Sequence, residues 1–249
     1  MQLKKQEAIM TDKKPILLMD LDNTLLDFDQ QEEAAISKML LERGIEPTAE
    51  LLHIFREINV RHWEMLETGE LTRAQVLVGR FRVFFDRLGY DLDAQSAEDS
   101  YAGHLCEGHY FVPGAQELLD ALYGHYDMYI ISNGNSKVQA ARLASSGISK
   151  YFNDIFISED MGHNKPSREY FNLCFEKIPY FQPENALIIG DSLTSDIRGG
   201  INMGIRTCWF NPKHQPARED IPSDFTVYSL DEIPALLARI FGGERRQNE

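Results

Sequence analysis

Asp20 and Asp22 stand one residue apart, directly after the apolar run of residues 15–19. Two carboxylates at this spacing, in a turn that follows a buried strand, are costly unless something neutralises them. A divalent cation would do so, because carboxylate oxygens are its preferred ligands. Aspartate is also common in ordinary turns, so the pair by itself fits a structural turn about as well.

Two further clusters carry groups that suit a phosphate. Ser132, Asn133 and Gly134 follow an apolar run and offer a hydroxyl, an amide and a close backbone approach. Such a triplet is also a common turn or helix N-cap. Lys165 is held beside Pro166 in a loop, where a lysine is usually only solvated. It becomes a candidate because a phosphate site in this chain needs a fixed cation.

A fourth cluster contains two more acids. Asp191 follows the apolar run of residues 186–189, and Asp196 lies five residues further on. If these carboxylates converge with Asp20 and Asp22, they form an oxygen-rich site that is best matched to Mg²⁺. Any one of the four clusters could be structural, but four in this order favour a functional site.

The elements that must position these residues alternate along the chain. Short apolar runs indicate strands buried on both faces, and helical patterns separate most of them. This alternation predicts an α/β fold with a doubly wound, Rossmann-like parallel sheet. Ligands bind beyond the carboxyl ends of the strands in such sheets, which is where the four clusters are expected. The runs are residues 15–19, 128–131, 155–157, 186–189 and 207–210.

Residues 27–108 interrupt the alternation. They contain no convincing strand, and apolar side chains recur at helical spacing at positions 51, 54, 55 and 58 and again over residues 81–88, up to Gly89. We predict that residues 27–108 form a helical cap inserted into a catalytic core of residues 14–26 and 109–241. Residues 1–13 and 242–249 are predicted to be flexible termini.

The 249-residue chain is acidic, with 25 Lys and Arg against 39 Asp and Glu and a net charge of −14. Nucleic-acid polymers and anionic membrane surfaces require a basic face, so neither is an expected partner. No apolar stretch is long enough to span a bilayer, and no secretory signal follows the N-terminal lysines. Three scattered cysteines suit reduced thiols, so a cytoplasmic location is predicted. An anionic substrate would need a local source of positive charge.

In combination, the four clusters resemble the motifs of the haloacid dehalogenase superfamily of aspartate-nucleophile phosphohydrolases. The resemblance covers nearly the whole chain, and the insertion lies where subfamily I carries its helical type 1 cap. The segments GDSLTSDI at 190–197, GGINMG at 199–204 and TCWFN at 207–211 are similar to the pyrimidine 5′-nucleotidase branch. Asp27 and Phe28, after the first motif, fit the same branch.

The resemblance implies a role for each residue of the motifs. Asp20 would attack the phosphorus atom and form an aspartyl-phosphate. Asp22 would protonate the leaving alcohol and then activate water, since one carboxyl group can serve both proton transfers in turn. Ser132 and the backbone of Asn133 would hold phosphoryl oxygens. Lys165 would neutralise charge on the nucleophile and on the transferring group.

The resemblance also implies a Mg²⁺ site. Asp20, the backbone carbonyl of Asp22 and Asp191 would hold the ion, with Asp196 bracing either the metal site or the lysine. The expected function is Mg²⁺-dependent hydrolysis of phosphomonoesters, with pyrimidine nucleoside monophosphates as the first substrate class. A sugar phosphate or another small phosphorylated metabolite is the alternative within the superfamily.

Other classes are less favoured. The superfamily's dehalogenases lack an aspartate at the position of Asp22. Phosphate-receiver domains carry an adjacent acidic pair, place the phosphorylated aspartate on a later strand and have no helical insertion. A non-catalytic binding protein on the same scaffold is disfavoured by the intact set of polar residues.

The cap is expected to contribute contacts to the substrate. We expect base and ribose contacts from an aromatic and cationic set, although aromatic residues at helical spacing are more often core. The set is Phe28, Trp63, Arg80 and Phe84. A monomer is the default expectation, and a dimer stays open.

Overall fold

The computed structural model describes residues 13–242. Its six strands form one parallel sheet. They are β1 (Ile16–Met19), β2 (Asp127–Ser132), β3 (Asp154–Ile157), β4 (Ala186–Gly190), β5 (Arg206–Phe210) and β6 (Phe225–Val227). The order across the sheet is β3-β2-β1-β4-β5-β6, so the chain builds outward on one side of β1 and then returns to build on the other.

Successive side chains of each strand point to opposite faces of the sheet, and both faces are covered. In β1, Leu17 and Met19 belong to one apolar cluster, whereas Ile16 and Leu18 belong to another. All four side chains are buried. This double burial explains why the strands appear in the sequence as continuous apolar runs, and the prediction of a doubly wound α/β fold is confirmed.

Helices cover the sheet and fill the segment between β1 and β2. Within residues 13–242 they are α1 (Phe28–Glu42), α2 (Ala49–Glu67), α3 (Arg73–Leu88), α4 (Ala94–Leu105), α5 (Ala115–Leu122), α6 (Ser136–Ser146), α7 (Ser158–Met161), α8 (Arg168–Lys177), α9 (Arg198–Met203) and α10 (Ile233–Phe241). A single π-helical turn, Leu193–Ile197, precedes α9. Helices α5 and α10 pack on one face of the sheet and α8 on the other.

Helices α1 to α4 bury their apolar faces mainly against one another. Their shared cluster contains Phe55, Phe81, Phe84 and Tyr101. Local signals fix the ends of α3: Thr72 and Gln75 form a reciprocal capping box, and Gly89 ends the helix at a φ of 71°. The predicted helices of this segment are therefore present, while the cap boundaries at residues 27 and 108 stay a prediction.

The short edge strand β6 is absent from the sequence-based prediction. It has only three residues and pairs with β5 alone, so it needs no long apolar run. The predicted flexible termini lie outside the described residues, apart from Lys13 and Gly242. No helix in the described part of the chain is long and apolar enough to cross a membrane.

Candidate active site

The four polar clusters lie beyond the carboxyl ends of the central strands. Asp20 directly follows β1, Ser132 ends β2 and Asp191 directly follows β4. Lys165 comes from the loop between α7 and α8. Strand β1 lies between β2 and β4, where the order of the sheet reverses, and this is where open α/β sheets form their ligand crevice.

Lys165 joins the clusters into one site. Its Nζ donates to Asp20 Oδ1 and Asp196 Oδ1, each at 2.6 Å, and to the carbonyl oxygen of Ile131 at 3.0 Å. The lysine side chain is almost fully buried. Burial acts against its charge, but the two carboxylates raise the pKa of Lys165 above its ordinary value. The site therefore contains one fixed ammonium group.

The backbone around Lys165 is tied to the loop after β2. Lys165 N donates to Asn133 Oδ1 at 2.8 Å, and Asn133 Nδ2 donates back to the carbonyl oxygen of Lys165 at 3.0 Å. This reciprocal pair engages both the carbonyl oxygen and the amide nitrogen of the Asn133 side chain. The lysine and the predicted phosphate loop are thus positioned together.

Three carboxylates crowd around the single lysine. Oxygen atoms of Asp20, Asp191 and Asp196 all lie within 4.8 Å of one another. Burial, together with repulsion from Asp196 and Asp22, raises the pKa of Asp20 to about 7, although Lys165 acts in the opposite direction. Burial and repulsion from Asp20, Asp196 and Asp22 raise the pKa of Asp191 well above its ordinary value. The one ammonium group therefore balances only part of the negative charge that the three carboxylates can carry.

This charge deficit fits a divalent cation. Carboxylate oxygens are the ligands that Mg²⁺ prefers, and a cation would offset the charge that Lys165 leaves uncompensated. Asp20, Asp191 and Asp196 could hold it. The side chain of Asp22 points elsewhere, which leaves only its backbone carbonyl for the role that the resemblance implies.

Asp196 is held in place by its own turn. Its Oδ2 accepts a hydrogen bond from Ser192 N at 3.1 Å, and the side chain is completely buried. A Cβ atom at position 190 would lie 2.2 Å from Asp196 Oδ2, so the glycine at the end of β4 makes room for this carboxylate. The residue type at position 190 is therefore set by the packing of the acidic cluster.

Asp22 is held by helix α6 instead. Gln139 Nε2 donates to Asp22 Oδ2 at 2.6 Å, and Arg142 forms an ion pair with Asp22 Oδ1. The Asp22 side chain is 27% exposed and lines the cleft. Asp22 therefore borders the site, and both of its carboxylate oxygens are bound by side chains of α6.

The hydroxyl of Ser132 is positioned to donate. Its Oγ accepts from Gln139 Nε2 at 2.9 Å and from Gly134 N at 3.1 Å. With both acceptor positions used, the hydroxyl hydrogen is left for an acceptor such as a phosphoryl oxygen. This arrangement fits the phosphate-binding role predicted for Ser132.

A cleft of about 490 Å³ extends from the acidic cluster to the helical segment. Its wall on that side combines two aromatic rings with buried polar side chains. Arg80 donates to Asn59 Oδ1 at 2.7 Å and to Glu98 Oε2 at 2.6 Å. The lining residues contributed by this segment include Phe28, Glu32, Asn59, Trp63, Arg80 and Glu98.

The sequence profile of the haloacid dehalogenase-like hydrolases matches residues 17–210, which include most of β1, all four clusters and most of the sheet. The chain belongs to this family. It is therefore a hydrolase, and the site at the carboxyl ends of β1, β2 and β4 is its candidate active site.

Curated relatives of this hydrolase match over most of their length. The HAD-hydrolase YfnB of Bacillus subtilis is 40% identical over 221 residues, which are 89% of this chain and 94% of YfnB. The pyrimidine 5′-nucleotidase PynA of Streptococcus pneumoniae is 36% identical over 87% of this chain and 92% of PynA. The pyrimidine 5′-nucleotidase YjjG of Escherichia coli is 33% identical over 90% of this chain and 97% of YjjG.

YfnB also provides a structural comparison for the hydrolase. Its crystal structure bound to magnesium, which reveals interdomain movement, superimposes with a TM-score of 0.86 at 39% identity. The match covers 91% of this chain and 99% of that chain. The two proteins therefore share the arrangement of sheet and helices along nearly their full lengths.

The structure brings most of the predicted site residues of the hydrolase together around the cleft. Their catalytic, phosphate-binding and metal-binding roles stay predictions. Those that line the cleft are Asp20, Asp22, Asn133, Lys165, Asp191 and Asp196, whereas Ser132, the residue before Asn133 in the chain, does not.

Phe84 was expected to contact substrate, and its position contradicts this. The ring is completely buried among the helices, 5.4 Å from the ring of Phe55, and is not part of the cleft wall. Its helical spacing with Phe81 and Phe85 places it on the inward face of α3. Arg80 does reach the cleft wall, but its ion pair with Glu98 engages its charge.

Sequence reasoning also missed three residues that hold the site of the hydrolase. Gln139 and Arg142 engage Asp22 from α6. Arg73, at the start of α3, donates to the carbonyl oxygens of Asn133 at 3.0 Å and Gly134 at 3.1 Å. None of the three lies in a recognisable motif, so only their positions in the fold identify them.

Proposed function

We propose that this hydrolase cleaves phosphomonoesters with bound Mg²⁺, through a phosphoryl group carried transiently by Asp20. The contact of Lys165 with Asp20 and Asp196, beside the third carboxylate of Asp191, is the observation that supports this most. A carboxylate that attacks an anionic phosphate needs positive charge at the point of attack. One lysine and one cation would supply it.

In the first step, an Oδ atom of Asp20 attacks the phosphorus atom, and the bond from phosphorus to the leaving oxygen breaks. Asp22 donates its proton to that oxygen, which departs as an alcohol. Lys165 stabilises the charge that builds up between Asp20 and the phosphoryl group. When bound, Mg²⁺ supplies further positive charge to the phosphoryl oxygens.

In the second step, the Asp22 carboxylate takes a proton from a water molecule, whose oxygen attacks the phosphorus atom. The bond between phosphorus and Asp20 breaks, so inorganic phosphate leaves and the Asp20 carboxylate is restored. Ser132 donates its hydroxyl hydrogen to a phosphoryl oxygen in both steps. The same two carboxyl groups thus complete the cycle without another reactant.

Residues 27–108 would act as a cap that selects the leaving group. Phe28, Trp63 and Arg80 line the cleft on the cap side, opposite the acidic cluster. A cap that closes over the cleft excludes bulk water while the phosphoryl group is on Asp20. The interdomain movement seen in YfnB supports a mobile cap in this architecture.

We propose pyrimidine nucleoside monophosphates as the preferred substrates. PynA and YjjG, which this chain resembles over most of its length, are pyrimidine 5′-nucleotidases. The cleft wall also suits a base and a ribose, because aromatic rings can pack against the base while polar groups receive the hydroxyls. A sugar phosphate or another small phosphorylated metabolite has no base for these rings to pack against.

A substrate screen tests this proposal. With Mg²⁺, kcat/KM for UMP, dUMP and TMP should exceed that for hexose phosphates by at least about tenfold, since contacts to the leaving group separate the two classes. Excess EDTA should abolish turnover. Purine nucleoside monophosphates serve as the matched control for the base.

The outcomes distinguish the proposed reaction from the proposed substrate class. A preference for hexose phosphates would overturn the nucleotidase and leave phosphomonoester hydrolysis standing. Absence of Mg²⁺-dependent phosphate release from every compound would contradict both.

A further inference from the structure

The carboxylate of Asp22, the proposed acid–base group, is bound by two neighbouring side chains of α6. Gln139 Nε2 donates to one carboxylate oxygen at 2.6 Å, and Arg142 pairs with the other. Residues 139 and 142 lie three positions apart, so they share one face of the helix. Both oxygens of Asp22 are therefore fixed from the same direction.

The same network reaches the proposed phosphate site. Gln139 Nε2 also donates to Ser132 Oγ at 2.9 Å, and Arg142 donates to Gln139 Oε1 at 2.8 Å. Arg142 thus orients the amide of Gln139. The amide nitrogen donates both to the carboxylate of Asp22 and to the hydroxyl of Ser132, which would hold a phosphoryl oxygen. A shift of Gln139 would move both.

Stability alone gives little reason for these buried polar groups. Gln139 is 1% exposed and Arg142 is completely buried, with the ring of Phe28 5.3 Å from its guanidinium carbon. The Nε and one Nη of Arg142 have no hydrogen-bond partner among the described residues. Burying a guanidinium that is only partly satisfied costs free energy, and an apolar side chain would avoid that cost.

The loop after β2 is also shaped around this network. A Cβ atom at position 134 would lie 2.3 Å from Gln139 Nε2. The φ of Gly134 is outside the left-handed region, so the backbone conformation does not explain the glycine. A side chain at position 134 would therefore displace Gln139 from this network. The predicted phosphate loop leaves room for the side chain that connects it to Asp22.

We propose that Gln139 and Arg142 are positioning residues that hold the Asp22 carboxyl group in the orientation needed for proton transfer. The inference rests on the proposed phosphomonoester hydrolysis and on the acid–base role of Asp22 within it. Among residues 13–242, the hydrogen bonds to the Asp22 carboxylate come from these two side chains. Proton transfer requires hydrogen-bond reach of the leaving oxygen, so fixing both carboxylate oxygens favours the reactive geometry.

A purely structural role would affect all substrates alike, whereas positioning of an acid would not. A sugar or alkyl oxygen leaves as a poor alkoxide unless it receives a proton. The oxygen of p-nitrophenyl phosphate leaves readily as nitrophenolate without one. Because kcat/KM reports the steps up to departure of the first product, it isolates the step in which Asp22 acts as an acid.

The test compares Gln139→Leu and Arg142→Met with the wild-type protein in Mg²⁺. The two substrates are p-nitrophenyl phosphate and an alkyl phosphate that the wild-type protein hydrolyses. We expect kcat/KM for the alkyl phosphate to fall at least about 100-fold, as for loss of a general acid, and for the nitrophenyl ester less than about tenfold. Arg142→Lys should recover part of the loss, and Lys137→Met, on the exposed face of α6, should change neither value.

Equal losses on both substrates, or no loss on either, would overturn the positioning role. Thermal unfolding of each variant reports whether the fold is kept, and Gln139→Leu, which removes no charge, decides the question if Arg142→Met does not fold. A wild-type protein that hydrolyses neither ester with Mg²⁺ would instead overturn the proposed function.

Discussion

Replacement of Asp20 by asparagine should abolish turnover while the protein stays folded. The amide keeps the shape of the side chain but cannot attack phosphorus, so no phosphoryl group can be transferred to it. Loss of a nucleophile that acts with its partners as a unit lowers kcat by at least about 10⁴-fold. Release of inorganic phosphate with Mg²⁺ measures the effect.

The fold of Asp20→Asn should be unharmed because the substitution removes one of three crowded acids. Burial and the neighbouring carboxylates raise the pKa of Asp20 to about 7, so its charge is poorly tolerated without a cation. In EDTA the Tm of the variant should be no lower than that of the wild-type protein. Asp154→Asn, at the exposed start of β3, is the matched control and should keep full activity. Turnover within about tenfold of wild type would rule out Asp20 as the nucleophile.

Replacement of Lys165 by methionine should damage both stability and activity. Methionine has a similar length, but it leaves the carboxylates of Asp20 and Asp196 without the ammonium that contacts them at 2.6 Å. Removing one partner from a buried ion pair costs about 3–5 kcal/mol. Urea unfolding in EDTA should show a loss of that size, and Mg²⁺ should restore part of it because a cation neutralises the same acids.

Activity of Lys165→Met should stay low even where Mg²⁺ restores the fold, since the charge beside the nucleophile is gone. Lys150→Met, which removes an exposed lysine, should change the unfolding free energy by no more than about 0.5 kcal/mol. A Lys165→Met protein as stable as wild type in EDTA would show that the ion pairs contribute nothing net. Retained turnover would remove Lys165 from the mechanism.

The sequence predicts the central part of this fold well because parallel strands buried on both faces leave long apolar signals. Strands β1, β2, β4 and β5 coincide with continuous apolar runs. The polar residues that follow them are placed by the topology, since the ends of parallel strands lie at one edge. The proximity of Asp20 and Asp191 could therefore be predicted from the sequence.

The residues that support the site could not be predicted in this way. Asp22 and Gln139 are 117 positions apart, and Arg73 is 60 positions from Asn133. On their helices these side chains resemble ordinary polar residues. Their role depends on how α3 and α6 pack against two loops, which no local pattern encodes.

Phe84 shows how the chemistry of a side chain can mislead. An aromatic ring suggests a nucleobase contact, but helical periodicity already assigned Phe84 to the same apolar face as Phe81 and Phe85. The packed aromatic cluster of the helical segment follows the periodicity. Where the two signals disagreed, the hydrophobic pattern was the better guide.

The most direct measurement of the proposed mechanism is to trap the phosphoryl group. Asp22→Asn removes the base that activates water, so the phosphorylated protein should accumulate when p-nitrophenyl phosphate and Mg²⁺ are mixed with it and quenched in acid. Mass spectrometry of the digested protein should find one phosphoryl group, on the peptide that contains Asp20, with one equivalent of nitrophenolate released. Nitrophenolate release with Asp20 unmodified, or a phosphoryl group on another residue, would contradict the mechanism.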